Sequence, residues 1–228
     1  MNTRMKGFTV VELVVVILLL ILIVVMVLPT CVAVRRTPSS MTSHMRMYQI
    51  AFALSMYSES NGGWSPGISF KRKIFAPTVE ERYQLLFEDD YLQPIDALSS
   101  RDDKEEWVSG EVTTDHYSFA MLDITNGDRK AMRALRWAQD LNDESPILGD
   151  RNIGENAEDQ VQSIYERSKP GKWFGSVFYS DGHGDFVESH MIRTKYGRAE
   201  ANESDNLFVE DFENDQSNID TKLIYSGE

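Results

Sequence analysis

The sequence predicts an α+β protein, in which a long N-terminal membrane-spanning helix, with interruptions expected near Pro29 and Pro38, packs on a small antiparallel β-sheet domain. Three observations lead to this prediction. Residues 13–28 contain no polar side chain, residues 41–60 carry an apolar stripe at helical spacing, and the second half of the chain contains short apolar runs bounded by turn sequences.

Composition limits the classes of protein that this chain can belong to. Its 228 residues leave roughly 165 beyond the N-terminal segments, which suits one domain of ordinary size. The formal net charge of −13 argues against a nucleic-acid partner, and the only compact basic cluster, Lys71 to Lys73, is expected to be a solvated face. With one cysteine, Cys31, no intramolecular disulfide can form.

The apolar N-terminal segment contains one charge. Residues 8–34 would extend over about 40 Å as a helix, enough to span a bilayer, and in lipid only a helix satisfies its own backbone hydrogen bonds. Within this segment lies Glu12. An ionised carboxylate in hydrocarbon costs about 2 to 3 kcal/mol, so Glu12 is expected to have a partner and a function.

Three processing routes compete for this segment. An ordinary secretory signal is shorter and ends in a small-x-small cleavage site, which is not found here. A lipoprotein signal would end at Cys31, but Pro29 and Thr30 occupy positions that such a site prefers to be small and unhindered. The third route depends on residues 7–12, "GFTVVE", which follow a short leader with two basic residues.

This motif resembles the prepilin peptidase site of type IV pilins and type II secretion pseudopilins. The resemblance implies cleavage after Gly7, methylation of the new amino group of Phe8, and a role for Glu12 in aligning a subunit with its neighbour during assembly. Cleavage would also give Glu12 a partner. An α-ammonium and a carboxylate held side by side in a low dielectric attract each other strongly enough to offset much of the cost of burying each charge.

The same resemblance implies location and partners. Pro29 should kink the helix, as a proline does at this place in many pilin-like helices. The chain would be a single-pass protein of the inner membrane with its C-terminal domain extracytoplasmic. Its partners would be the prepilin peptidase, other pilin-like subunits in a homopolymer or heteropolymer, the inner-membrane assembly platform and membrane lipid.

The predicted organisation has five parts. They are a leader peptide (1–7), a transmembrane and polymerisation helix (8–34), an amphipathic stem helix (35–60), a globular pilin-like domain (61–198) and an acidic C-terminal extension (199–228). The extension holds nine acids and one base after Arg198, so it is expected to be mobile. Within it, a short edge strand could dock through Leu207, Phe208, Val209 and Phe212, and the alternative is a tail that binds a partner.

Two helices are predicted after the apolar segment. The first carries its stripe on one face and stops at Asn61-Gly62-Gly63; the stripe consists of Met47, Ile50, Ala51, Leu54 and Tyr57. Thr78 and Glu81 have the spacing of a capping box, which predicts a short helix ahead of a Leu-Leu-Phe run.

The remaining elements are a helix, two strands and a hairpin. Residues 129–141 favour a helix, and residues 116–122 and 146–150 favour strands. Residues 175–187 predict a β-hairpin around Asp181-Gly182, because both central positions tolerate a positive φ.

This hairpin, together with "SPILGDRN" upstream, resembles the C-terminal part of prepilin-like proteins of planctomycete-type bacteria. Those proteins carry a "DGH" turn after an apolar strand and a histidine ten residues before the aspartate. Here Gly171 stands at the earlier position. The departure weakens any role that needs the histidine and Asp181 together.

Catalytic and metal sites are weakly indicated. The four histidines, His44, His116, His183 and His190, belong to no known catalytic or zinc motif, so the chain is expected not to be an enzyme. No cofactor is required. Calcium stays open at two places, the side chains of Asp181, His183 and Asp185 and the cluster of residues 150–159.

Two rival interpretations belong to other classes of protein. The first is a membrane-tethered or lipid-tethered extracytoplasmic binding protein that does not polymerise, for which modification at Cys31 would be the indication. The second is a tethered hydrolase or metal enzyme that uses His183.

Overall fold

The computed structural model describes residues 10–20, 39–125, 143–165, 168–196, 201–210 and 221–226. The chain divides into two compact units, Met1–Pro38 and Ser39–Glu228. In the first unit, residues 10–20 form a helix, α1, whose side chains are exposed. All other elements belong to the second unit.

The predicted fold class is wrong in its main feature, the long membrane-spanning helix. No helix within the described ranges is both long and apolar enough to cross a membrane. The described part of α1 covers about 16 Å, roughly half of a hydrocarbon core. The 22-residue α2, Ser39–Ser60, carries polar side chains along its length. Pro29 and Pro38 lie outside the described residues.

The second unit is built on a five-stranded antiparallel sheet with the strand order β4-β3-β2-β1-β7. A separate two-stranded antiparallel sheet joins β5 to β6. The strands are β1 Phe119–Leu122, β2 Pro146–Asp150, β3 Gly175–Tyr179, β4 Gly184–Val187, β5 Met191–Thr194, β6 Asn202–Asn206 and β7 Leu223–Ile224. The strand at 146–150 and the hairpin at 175–187 are therefore confirmed. The strand predicted at 116–122 is confirmed only for Phe119–Leu122, because His116 belongs to a 3-10 helix.

The predicted amphipathic helix is also confirmed, as α2. Met47, Ile50, Leu54 and Tyr57 are buried, and the helix packs chiefly against β3 of the sheet. It ends at the predicted glycines, since the N–H groups of Asn61 and Gly63 donate to carbonyls of its last turn. The stripe is thus the face that covers the sheet.

The capping box is confirmed at the start of α3, Val79–Glu88. The Thr78 hydroxyl accepts from the Glu81 N–H at 3.2 Å, and the Glu81 carboxylate accepts from the Thr78 N–H at 3.1 Å. Two short 3-10 helices, Pro94–Ala97 and Thr114–His116, follow α3 and precede β1.

A buried arginine ties α3 to the sheet. The Arg82 side chain donates to the carbonyls of Thr78 (3.0 Å), Pro77 (2.9 Å) and Leu122 (2.7 Å). Burial lowers the pKa of Arg82 to about 10, which still leaves the guanidinium charged at neutral pH. Its charge is balanced by the nearby carboxylates of Asp123 and Glu80 and by carbonyl oxygens that would otherwise need other donors.

The sheet is covered on both faces. Phe119, Met121, Leu148 and Phe178 pack with α2 and α3 in the larger core. Residues between them in the strands point the other way, as the period of two requires, into a second core; its buried members are Ala120, Val161, Trp173, Val177, Tyr179, Leu207, Phe208 and Leu223. The central strands therefore have continuous apolar runs instead of an alternating pattern.

Two described stretches of the predicted C-terminal extension, residues 201–210 and 221–226, pack in the fold. Leu223 pairs with Leu122 of β1, and its N–H donates to the Leu207 carbonyl at 2.7 Å. Leu207 and Phe208 do not form the expected edge strand, since both follow β6 and are buried in the second core. Acidic side chains are placed around apolar residues that reach the sheet. Phe212 and the predicted helix at 129–141 lie outside the described residues.

The C-terminal packing leads to a stability prediction. We expect Leu223→Ala to lower the free energy of unfolding by about 2 to 4 kcal/mol, because it leaves a cavity between β7 and the second core. Urea unfolding of the full chain in detergent, followed by tryptophan fluorescence, measures this change. Val108→Ala, at a side chain that is 85% exposed, is the control and should change it by less than about 0.5 kcal/mol. If the two variants have equal free energies of unfolding, Leu223 contributes no packing and the mobile extension is the better description.

Candidate functional site

The predicted processing and assembly residues belong to the first unit. Glu12 lies in α1, on an exposed part of the helix among exposed valines. Gly7, Phe8 and Pro29 lie outside the described residues, so their roles stay predictions. The exposed apolar side chains of α1 need a partner or a lipid environment.

The hairpin turn between β3 and β4 holds the predicted side chains of the second unit close together. The Nδ1 atom of His183 lies 2.6 Å from Asp181 Oδ1, which also accepts from the His183 N–H at 3.1 Å. On the other side of the ring, Nε2 lies 3.8 Å from Asp185 Oδ2. The ring also stacks on Tyr179, with centroids 4.3 Å apart. His183 is thus held between two carboxylates and an aromatic face.

This arrangement has an electrostatic effect on Asp181. Partial burial alone would raise its pKa, but the hydrogen bonds from the His183 N–H and ring outweigh burial, so the pKa is lowered. Asp181 therefore remains a carboxylate that orders the turn.

Two glycines explain why the turn forms at this place. Gly182 has a φ of +92°, which a residue with a Cβ rarely adopts. Gly184 faces the buried ring of Phe178, and a Cβ there would lie 2.3 Å from that ring. The turn and the packing of β4 on β3 thus both depend on the absence of a side chain.

The first possible calcium group is this turn. Among the residues that the structure describes, no three His, Cys, Asp or Glu side chains come together in a way that could hold a metal ion. Instead, Asp181 lies at Nδ1 of the His183 ring and Asp185 lies on the side of Nε2. The geometry fits an ordered surface turn.

The second possible calcium group, residues 150–159, uses its side chains to shape a loop. Asn156 Oδ1 accepts from three backbone N–H groups, and Asn152 Oδ1 accepts from those of Gly154 and Gln162. Asp159 accepts from the Asn156 amide at 2.7 Å. These asparagines therefore act as turn-forming residues.

Gly171, at the position of the missing histidine, lies in the loop before β3. It has a φ of +78°, its N–H donates to the Val161 carbonyl, and a Cβ would lie 3.0 Å from the Asp159 carbonyl. The segment between Gly171 and Asp181 includes the five residues of β3, which extend over roughly 17 Å. A histidine would be strained here, so the departure from the resemblance has a local backbone reason.

A buried carboxylate that sequence reasoning missed lies at the end of β2. Asp150 is fully buried, and its Oδ2 accepts from the Tyr165 hydroxyl at 2.8 Å and the Ser176 N–H at 2.7 Å. Burial raises the pKa of Asp150 to about 7, against the lowering effect of these hydrogen bonds. The neighbouring Gly175 makes room, since a Cβ there would lie 2.9 Å from the carboxylate.

The sequence carries one signal for this group, an acid that follows the apolar run "PIL" after a single glycine. In the sequence it heads the possible calcium cluster of residues 150–159, in which three further acids follow within nine residues. Only the pairing of β2 with β1, which sets Asp150 opposite Phe119, shows that its side chain enters the interior.

The turn also borders a small cavity of about 140 Å³ between α2 and the sheet. Its polar lining consists of Ser55, Ser58, Ser65, Ser180 and Asp181, and its apolar lining includes Leu54 and Ile147. The hydroxyl groups and the volume suit a few water molecules.

No protein family model, no curated protein and no solved structure matches this chain.

The buried carboxylate leads to a prediction on pH. Between about pH 4 and about pH 7 the folded chain holds the Asp150 proton and the unfolded chain does not, so folding takes up a proton and the free energy of unfolding falls as pH rises. We expect Asp150→Asn to gain about 2 to 3 kcal/mol relative to wild type between about pH 5 and about pH 8.

Urea unfolding at the two pH values measures this relative gain. Asp103→Asn, at an exposed carboxylate, is the matched control and should follow wild type at both. If Asp150→Asn, like the control, differs from wild type by the same free energy of unfolding at both pH values, Asp150 is not protonated in the folded chain.

Proposed function

We propose that the chain is a non-enzymatic pilin-like (pseudopilin) subunit. A prepilin peptidase cleaves it after Gly7, and its N-terminal segment then assembles it into a type IV pilus or a type II secretion pseudopilus. The observation that supports this proposal is the motif at residues 7–12, preceded by a basic leader and followed directly by the apolar run 13–28.

The charge at Glu12 has a physical role in this proposal. Cleavage creates an α-ammonium at Phe8, and in an apolar assembly the attraction between the two groups is stronger than in water. A subunit out of register would leave a buried carboxylate unpaired, which is strongly unfavourable. Glu12 therefore selects the register at which a new subunit is added.

The proposed location and partners follow from the same segment. The chain is anchored in the inner membrane by its apolar N-terminal residues, with the domain that begins at Ser39 extracytoplasmic. Its partners are the prepilin peptidase, other pilin-like subunits, the assembly platform and membrane lipid.

The first test is the intact mass and N-terminal sequence of the protein purified from its native membranes. The expected result is a start at Phe8 with a methylated amine. A start at Met1, or a start at Cys31 with attached lipid, would contradict the proposal, and the latter would favour a lipid-tethered binding protein.

The second test is the variant Glu12→Ala. We expect it to be cleaved like wild type but to lose assembly by about tenfold or more, because the charge pair that selects the register is gone. The fraction of chain in sheared filaments, or the amount of secreted substrate, measures assembly. Val16→Ala, one helical turn further along α1, is the control and should assemble like wild type. Normal assembly of the Glu12 variant would refute the role of the carboxylate.

A further inference from the structure

A tight loop at residues 70–75, "FKRKIF", follows α2 in the sequence and is not used by the proposed function. The Ser69 N–H donates to the Lys73 carbonyl at 2.9 Å, and the Arg72 N–H donates to the Ser69 carbonyl at 2.8 Å. Ile68 and Ile74 form an antiparallel bridge at the base. The loop is therefore an ordered projection.

The tip of this loop presents aromatic and basic side chains together. Phe70 is 73% exposed and Phe75 is 50% exposed, although phenylalanine is usually buried. Lys71, Arg72 and Lys73 between them are exposed, and the Lys71 ammonium lies 5.4 Å from the centre of the Phe70 ring. None of the three cations forms an ion pair with another residue in the described part of the chain.

The backbone at the tip is unfavourable for the residue that occupies it. Arg72 has a φ of +57°, a left-handed conformation that glycine or asparagine would adopt more easily. The turn thus places a third cation where a small residue would stabilise the loop. Such strain is common where a side chain has a role beyond stability.

We propose that the loop at residues 70–75 binds the anionic lipid surface of a bilayer, with its cations on lipid phosphates and Phe70 and Phe75 at headgroup level. Basic side chains beside exposed aromatic ones are the combination that favours this interface. The proposal rests on the membrane anchoring in the proposed function, because the loop acts at a membrane to which the chain is already held.

Size favours a lipid surface over a protein partner. The tip consists of six residues, whereas a stable protein interface usually takes roughly 20 to 30 residues from each side. The rest of the chain is strongly acidic, and screening beyond about 8 Å means that only the tip itself attracts an anionic surface.

The contact is weak by itself and gains from tethering. Three cations and two partly inserted rings give a peripheral contact that salt weakens. Because the apolar segment already holds the chain at the membrane, the loop meets lipid at a high effective concentration.

Trypsin cleavage of the full chain in lipid nanodiscs tests the proposal, because the loop offers three cleavage sites in sequence. We expect cleavage at Lys71 to Lys73 to be about tenfold slower in discs of equal parts phosphatidylglycerol and phosphatidylcholine than in discs of phosphatidylcholine alone. Cleavage at the exposed Lys172 is the internal control and should be equal in both. High salt should remove the protection.

A variant with both Phe70→Ser and Phe75→Ser keeps the trypsin sites and should lose most of the protection. Val108→Ser, at another highly exposed apolar side chain, should keep it. Equal cleavage of the wild-type loop in both kinds of disc would overturn the proposal. Protection that instead rises with protein concentration in detergent would overturn it in favour of an acidic surface on a second copy.

The N-terminal mass of the same preparation separates this proposal from the previous one. A start at Phe8 without lipid-dependent protection would refute the loop contact alone. A lipid-modified start at Cys31 with protection would refute the pilin route and leave the loop contact standing.

Discussion

Burial of the five-stranded sheet on both faces is the constraint on which the rest of this domain depends. Helices α2 and α3 cover one face, but no helix in the described part of the chain covers the other. That face is closed by single side chains from irregular segments, such as Val161, Trp173 and Leu207. The loop between β2 and β3 and the acidic C-terminal residues are therefore part of the fold, although their composition resembles that of solvated extensions.

Burial of the sheet also places polar groups in the interior, and two of them differ in their charge state. Arg82 stays charged because the carboxylates of Asp123 and Glu80 favour the charged form and three carbonyl oxygens accept from its guanidinium. Asp150 has two hydrogen-bond donors on one oxygen, and its burial favours the protonated form near neutral pH. Backbone carbonyls take the place of water around the Arg82 cation. For Asp150, the loss of water favours the protonated, neutral form.

The two proposals place the function of the chain at a membrane and assign it to surface features that the core does not need. Glu12 lies among exposed apolar side chains in α1, and the loop at residues 70–75 carries exposed rings beside its cations. The turn at Asp181 and His183, which carries the residues of the second family resemblance, is ordered by its own hydrogen bonds. At Gly171 the backbone conformation itself disfavours the histidine of that family.

Sequence alone determined the local elements. The Thr78 capping box, the stripe of α2 and the hairpin at Asp181-Gly182 were predicted because each depends on contacts within a few residues. The tertiary structure decided what depends on distant pairing, namely that Leu223 joins β1 and that Asp150 turns inward. It also overturned the long membrane-spanning helix within the described residues. The physical reason is that these contacts join residues about a hundred positions apart in the sequence. No local pattern specifies which distant residues pair across the sheet or pack on its second face.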